Sequence, residues 1–330
     1  MKKFARIFAS LLLALTLFGC GAAENPMQNA VYYDVFDTVT TVLSAGDGCE
    51  FQRQAAEIHE GLLELHRLFD IYHDYDGLVN LKTVNDQAAD HPVPVPAPVF
   101  ELLADCRRFY DATGGRVNIA MGSVLSLWHD ARETGILPDP AALEEALAHT
   151  DFDRVILDDE NQTVFFEDPA LRLDVGAVAK GWAGQRIAQT LPEGILLSIG
   201  GNVLATGPKF ADGTPWTVGV QDPDGSADAY VRTVKLTEGA LVTSGDYQRY
   251  MEVDGVRYPH IIDPDTGDPG RLWRSVTVFH PDSGTADALS TALYLLSRQE
   301  GERLAAAFGA DALWIAPDGS LSATDGFPSA

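Results

Sequence analysis

The sequence is poor in cysteine, in basic residues and in long apolar runs. Only 3 cysteines occur in 330 residues, too few and too scattered for a disulfide framework. No Cys-x-x-Cys pair or Cys/His cluster stands in the pattern of a zinc site. Basic residues number 23 against 48 acidic ones, a formal charge of −25. Such a surface repels DNA, RNA and anionic headgroups, which argues against a nucleic-acid partner. It also sets a condition: a polyphosphate ligand would need a local cation, a lysine or a bound metal, to overcome the field of the chain. No internal repeat or low-complexity segment is found, and after the first twenty residues there is no second hydrophobic helix. The remaining composition, 46% hydrophobic, is that of a globular protein with one large core or two modest ones.

The apolar run that does occur is at the start. Lys2, Lys3 and Arg6 precede a short apolar stretch over residues 7–18, too short to span a bilayer comfortably. It ends in Leu17-Phe18-Gly19-Cys20, which resembles a lipobox with a bulky Phe18. The expectation is a lipoprotein signal peptide over 1–19, lipidation of Cys20, a polar tether over 20–30 and one domain over 31–326. An ordinary secretory signal with a chance cysteine is the alternative. The protein is thus expected to be exported and lipid-anchored on the outer face of the cytoplasmic membrane; with its acidic charge, only the lipid would hold it there. Cys49 and Cys106 could pair or be merely structural.

Along the chain, residues 31–43 alternate and read as one strand, interrupted by Phe36-Asp37-Thr38. Phe51, Ala55, Ile58, Leu62, Leu65 and Phe69 recur at three- and four-residue steps, an amphipathic helix. Residues 70–75 form a polar-aromatic loop in which Tyr72 fits a core or a ligand wall equally well. Pro92, Pro94, Pro96 and Pro98 keep their segment extended and out of any central strand. Helices are expected over 99–110, 140–149, 183–191 and 285–297. Strands are expected at 154–157, 163–166, 171–173, 195–199, 216–220, 230–236 and 275–279, with one ending at 241–246. A hairpin is expected around Asp254-Gly255. The fold class is α+β, with most strands in the second half.

Three features carry chemistry. Asp174-Val175-Gly176-Ala177-Val178-Ala179-Lys180-Gly181 is a turn of small residues before a helix, where backbone N–H groups and a lysine can meet phosphate; close packing is the plainer reading. His260-Ile261-Ile262-Asp263-Pro264 puts a histidine and a carboxylate in a rigid turn. Asp287 and Thr291 are four apart on a helix, so carboxylate and hydroxyl share a face and could serve a hard cation with a backbone carbonyl; Asp287 as a simple helix-dipole charge is the alternative.

Together, Asp174-x-Gly-Ala-x-Ala-Lys180-Gly, Ser198-Ile-Gly-Gly-Asn202, Thr243-Ser-Gly-Asp-Tyr247, His260-Ile-Ile-Asp-Pro-x-Thr-Gly267 and Ala286-Asp-Ala-x-Ser-Thr291 resemble the ApbE family of FAD:protein FMN transferases across essentially the whole mature chain. The resemblance implies an ApbE-like, T-fold-related architecture of largely antiparallel sheets and packed helices, with an FAD cleft between two halves. It implies Mg²⁺-dependent transfer of FMN from FAD to a Thr or Ser hydroxyl of an exported or membrane flavoprotein, with release of AMP. The acceptor would carry an Asp-x-(Ser/Thr)-Gly-Ala-(Ser/Thr)-like motif. Carried over by position, Asp174 and Lys180 would contact FAD. The carbonyl of Ala177, with Asp287 and Thr291, would hold Mg²⁺. Phe36, Tyr72, Arg116, Val117, Asn118 and Ile261 would line the flavin or adenosine pockets. His260 would be the general base, suited by an ordinary imidazole pKa near neutrality; a plain turn histidine is the other reading. Asn118 and Ala120 stand where the family more often has Asp and Thr, and Tyr75-Asp76 replaces a small polar residue. An FAD pyrophosphatase, with water in place of the acceptor, and a non-catalytic flavin-binding lipoprotein are the rival readings.

Overall fold

The structure, a computed structural model, describes residues 27–226 and 229–329. The expected signal peptide, Cys20 and the first part of the tether lie outside the described residues. The first strand begins at Gln28, inside the stretch expected to be tether. Among the described residues no helix is long and apolar enough to cross a membrane.

The single strand expected over 31–43 is two: β1 (Gln28–Val35) and β2 (Thr38–Ser44), an antiparallel hairpin. Its two-residue turn has φ of 52° at Phe36 and 50° at Asp37, the left-handed pair that matches the twist of a hairpin. Phenylalanine rarely adopts that conformation. It is held there by contacts distant in sequence: its N–H donates to His66 Nδ1 at 3.2 Å, and its ring meets those of His66 and Phe69.

Helix α1 (Gly48–Phe69) supplies those partners. Asp47 caps it by accepting from the N–H groups of Cys49 and Glu50, and the predicted apolar face is buried. Helix α2 (Leu81–Gln87) opens on an Asn80/Thr83 capping box. Strand β3 (Val93–Pro94) lies at the edge of a three-stranded sheet ordered β3-β5-β4, the one place open to prolines. Helices α3 (Ala97–Ala112), α4 (Gly122–Thr134) and α5 (Pro140–Leu147) precede β4 (Val155–Asp158) and β5 (Thr163–Phe166).

The strand end expected at 171–173 is only a single bridge between Arg172 and Met121. Helix α6 (Ala179–Ala188) begins four residues before the expected start, so Lys180 lies in its first turn. Strands β6 (Ile195–Ile199) and β7 (Asn202–Ala205) follow, joined through Gly200 and Gly201, which take φ of 58° and 92°. The ribbon of β8 (Trp216–Gln221) and β9 (Tyr230–Leu236) leads to β10 (Gly239–Gly245). Next come the hairpin β11 (Tyr250–Val253) and β12 (Val256–Pro259), then β13 (Ser275–His280). Helix α7 (Ser283–Leu295) is capped by Asp282, which accepts from the Thr285 N–H, and not opened by Asp287 as expected. Helix α8 (Arg298–Ala307), β14 (Asp311–Ile315) and β15 (Leu321–Ala323) complete the chain.

Eight strands form one sheet, ordered β1-β2-β6-β7-β10-β13-β14-β15, and each neighbouring pair is antiparallel. On one face, Leu204, Val242, Val276 and Val278 pack with Leu289, Leu293 and Tyr294 of α7. On the other, Leu196, Leu241 and Leu313 pack with Trp216, Val218, Val234 and Leu236 of the β8–β9 ribbon. A third cluster joins α1 and α3 to β2, β6 and the residues before α6. The cysteines do not pair: Cys49 is exposed and Cys106 buried, both free.

Candidate active site

A cavity of roughly 400 Å³ opens where these layers meet. Its floor is set by an unusually close approach of α6 and α7. A Cβ on Gly181 would collide with the Ser283 carbonyl and the Asp287 side chain. Only glycine allows that contact, and it brings the Gly181 N–H to Asp287 Oδ2 at 2.7 Å. Asp287 is 4% exposed. Burial raises its pKa, against the opposing pull of the Lys180 ammonium and the Gly181 N–H. Beside it stands Asn202, whose buried side chain also favours the ionised form of Asp287. One turn along α7, the Thr291 hydroxyl lies 3.5 Å from Ser244 Oγ, which in turn bonds Ser290 at 2.8 Å.

The turn before α6 completes the floor. Asp174 Oδ1 accepts from the Gly176 N–H at 2.8 Å, and the Asp174 N–H donates to the Ile119 carbonyl. Burial again raises the carboxyl pKa, with Arg132, Lys180 and His129 pulling it down. Lys180 Nζ donates to the Gly176 carbonyl at 3.3 Å and pairs with no carboxylate among the described residues.

His260 lies across from this floor. Its N–H and its Nδ1 both meet the Arg249 carbonyl at 3.1 Å. A carbonyl only accepts, so Nδ1 carries the proton and Nε2 keeps its lone pair. The expectation of an ordinary imidazole pKa is corrected here: burial, with Lys180 as the main charge, pushes it down to about 4. At neutral pH the ring is an uncharged acceptor.

Arg116 holds the turn that follows His260. Its guanidinium reaches Asp263 at 2.8 Å and Asp265 at 2.6 Å. Arg116 therefore lines the cavity as a brace, with its charge already neutralised. Asn118 is similarly engaged, donating to the Thr150 carbonyl and accepting from the Ala120 N–H, both at 2.8 Å. Val117 and Ile261 are buried wall residues. The Tyr72 question resolves as a wall: its ring is 56% exposed and tilts against His129. Asp70 holds its loop by accepting from the N–H groups of Tyr72 and His73, from the His73 ring and from the Tyr75 hydroxyl.

All twelve residues picked out for catalysis, cofactor and metal line this one cavity: Phe36, Tyr72, Arg116, Val117, Asn118, Asp174, Ala177, Lys180, His260, Ile261, Asp287 and Thr291. The sequence reading missed Arg132, Arg249 and His129, which also line it. Asn202 stood inside a quoted motif without a role. Arg249 followed another motif by two residues, but Arg132 and His129 carried no local signal.

Over residues 34–314 the sequence matches the family model described as "ApbE family". The chain belongs to the ApbE family. It is 36% identical over 300 residues to the FAD:protein FMN transferase of Treponema pallidum, covering 83% of this chain and 82% of that protein. It is 33% identical over 247 residues to one from Klebsiella pneumoniae, covering 71% and 76%. Among solved structures, the ApbE protein of Thermotoga maritima superposes with a TM-score of 0.82 at 30% identity, over 92% of this chain and 98% of that one. The flavin transferase ApbE of Vibrio cholerae gives 0.77 at 25% identity with the same coverage. The matched span of this ApbE chain contains every one of the twelve cavity residues.

The donor set suits a hard cation. A buried carboxylate (Asp287), a hydroxyl (Thr291) and a backbone carbonyl (Ala177) line one cavity, all of them oxygen ligands of the kind magnesium takes. No group of three His, Cys, Asp or Glu side chains gathers as a metal site among the described residues.

Proposed function

We propose that this ApbE protein transfers the FMN moiety of FAD to a Ser or Thr hydroxyl of an exported or membrane flavoprotein, releasing AMP, with Mg²⁺ held by Ala177, Asp287 and Thr291. The observation that carries this reading is the convergence of five sequence-distant motifs on one cavity that combines a neutral histidine, an unpaired lysine and an oxygen donor set. The proposal includes the exported, lipid-anchored location expected from the Cys20 lipobox, and an acceptor bearing an Asp-x-(Ser/Thr)-Gly-Ala-(Ser/Thr)-like motif.

The chemistry follows from the chain's own groups. The acceptor oxygen forms a bond to the phosphorus of the FMN half; the bond from that phosphorus to the bridging oxygen breaks, and AMP leaves with it. The acceptor proton passes to His260 Nε2, free because Nδ1 is engaged with the Arg249 carbonyl. Arg116, through Asp263 and Asp265, keeps the histidine turn rigid. Lys180 offers its charge to the diphosphate, and Tyr72 and Phe36 present aromatic faces to the flavin or adenine. When bound, the cation would neutralise charge on the diphosphate oxygens, in a reaction that depends mostly on positioning and electrostatics.

The test is mass spectrometry of an acceptor domain after incubation with this protein, FAD and Mg²⁺. A gain equal to one FMN phosphoester, abolished by EDTA, is the expected result. Free FMN and AMP without a gain would identify water as the acceptor, and intact FAD would overturn the catalytic reading.

A further inference from the structure

Arg132 on α4 lines the cavity and is half-buried, yet makes no hydrogen bond or ion pair with any described residue. Carboxylates are abundant in a chain with 48 of them, and elsewhere arginines use them: Arg116 takes Asp263 and Asp265, and Arg274 takes Asp224 and Asp246. A guanidinium stripped of part of its water and given no protein partner is costly unless a ligand completes it. Its surroundings sharpen the point. Arg249 is close enough for the two guanidiniums to repel, and among the described residues the Arg249 guanidinium bonds only the Asp37 carbonyl, at 3.0 Å. Tyr72 lies within electrostatic reach of Arg132, and His260 within reach of both arginines. Asp174 is also near Arg132 but forms no ion pair with it.

Two like charges that line one cavity with an aromatic wall residue and a neutral base fit an oxyanion with several acceptor oxygens. We propose that Arg132 and Arg249 form a second anion subsite, separate from Lys180 and the Asp287 oxygen set, that grips the phosphate transferred to the acceptor. Tyr72 and His260, the aromatic wall and the base of the proposed transfer, line the same cavity as the two arginines. Planar guanidiniums can each bind two phosphate oxygens, which fixes the phosphorus for attack as a lysine point charge would not. This proposal rests on the flavin-transfer reading above.

The experiment measures FAD binding by flavin fluorescence, and steady-state kinetics with FAD and acceptor, for wild type, Arg132→Gln, Arg249→Gln and Arg132→Lys. Circular dichroism and thermal melts check that each variant folds. A charge-assisted hydrogen bond contributes enough for a loss of about tenfold to a hundredfold in affinity. The expected result is that loss in FAD affinity for each Gln variant, partial recovery in Arg132→Lys, and competition by inorganic pyrophosphate weakened in parallel. Unchanged FAD binding with a raised KM for acceptor alone would overturn the phosphate assignment and place an acidic acceptor side chain there. Binding and kinetics within twofold of wild type would remove the subsite altogether. If wild type neither bound FAD nor turned it over, the failure would lie with the flavin-transfer reading instead.

Discussion

On the floor of the cavity, α6 and α7 touch backbone to side chain through Gly181, and Asp287 is fixed by a 2.7 Å bond from that glycine's N–H. On the rim, Tyr72 stands 56% exposed on a loop, and Arg249 reaches across to the β1–β2 turn through a single bond to the Asp37 carbonyl. The floor is made by packing two helices that have almost no room to move. The rim is made by loops whose side chains owe their places to a few polar contacts, chiefly those of Asp70. In the proposed reaction, the groups that hold charge and geometry sit where packing over-determines them, and the groups that admit and release a large ligand sit where it does not.

The contrast can be broken most severely at Gly181. A methyl group there strikes the Ser283 carbonyl and the Asp287 side chain, and overpacking of that kind costs about 3 kcal/mol. Gly181→Ala should lower the melting temperature and abolish turnover together, as a calorimetric scan beside an activity assay would show. Next comes Asp287→Asn, which keeps the shape but removes the charge. Turnover should fall by roughly a thousandfold and the Mg²⁺ requirement should weaken, while the melting curve stays close to wild type. His260→Gln should cost about 10²–10⁴ in kcat with FAD binding retained, because in the proposed reaction the ring takes the proton and does not hold the ligand.

Rim changes should be smaller and fall on affinity. Asp70→Asn weakens the acceptor of four hydrogen bonds that hold the Tyr72 loop. The KM for FAD should rise by about tenfold with kcat little changed. A comparable fall in kcat would erase the distinction between floor and rim.

The smallest effect expected is one of pH. A general base works in its neutral form, and burial with Lys180 nearby holds His260 neutral until the pH falls to about 4. In the free enzyme, kcat/KM should therefore stay flat from pH 8 down to about 5.5, provided FAD and acceptor keep their ionisation and Asp287, whose pKa burial raises, keeps its charge. An acid limb centred near 6.5, the ordinary imidazole value, that disappears in His260→Gln would show that His260 is more solvated than its packing implies.

How far the sequence reached differs between these regions for a physical reason. Asp174, Ala177, Lys180, Asp287 and Thr291 were legible because each belongs to a short motif whose spacing sets a turn or one face of a helix. Phe36 and Tyr72 were located by motif, but the left-handed turn at Phe36 depends on His66, some 30 residues away. A local reading therefore made one strand of what is a hairpin. Lys180 was assigned to a turn because small residues before a helix look the same whether or not they belong to it; packing of α6 on α7 draws them in. The ordinary pKa expected for His260 failed because burial and a neighbouring ammonium belong to the tertiary structure.

The sequence by itself determined the α+β class, the amphipathic face of α1, the exclusion of Pro92, Pro94 and Pro96 from any central strand (Pro98 instead opens α3) and the motif residues that line the floor, since periodicity, backbone restriction and motif spacing are properties of neighbours in the chain. Only the tertiary structure decided that Arg132 and Arg249 share a cavity with His260, that Arg116 is spent on Asp263 and Asp265, and that the histidine is held neutral. Electrostatic coupling and desolvation act through space, between groups that the linear order keeps far apart.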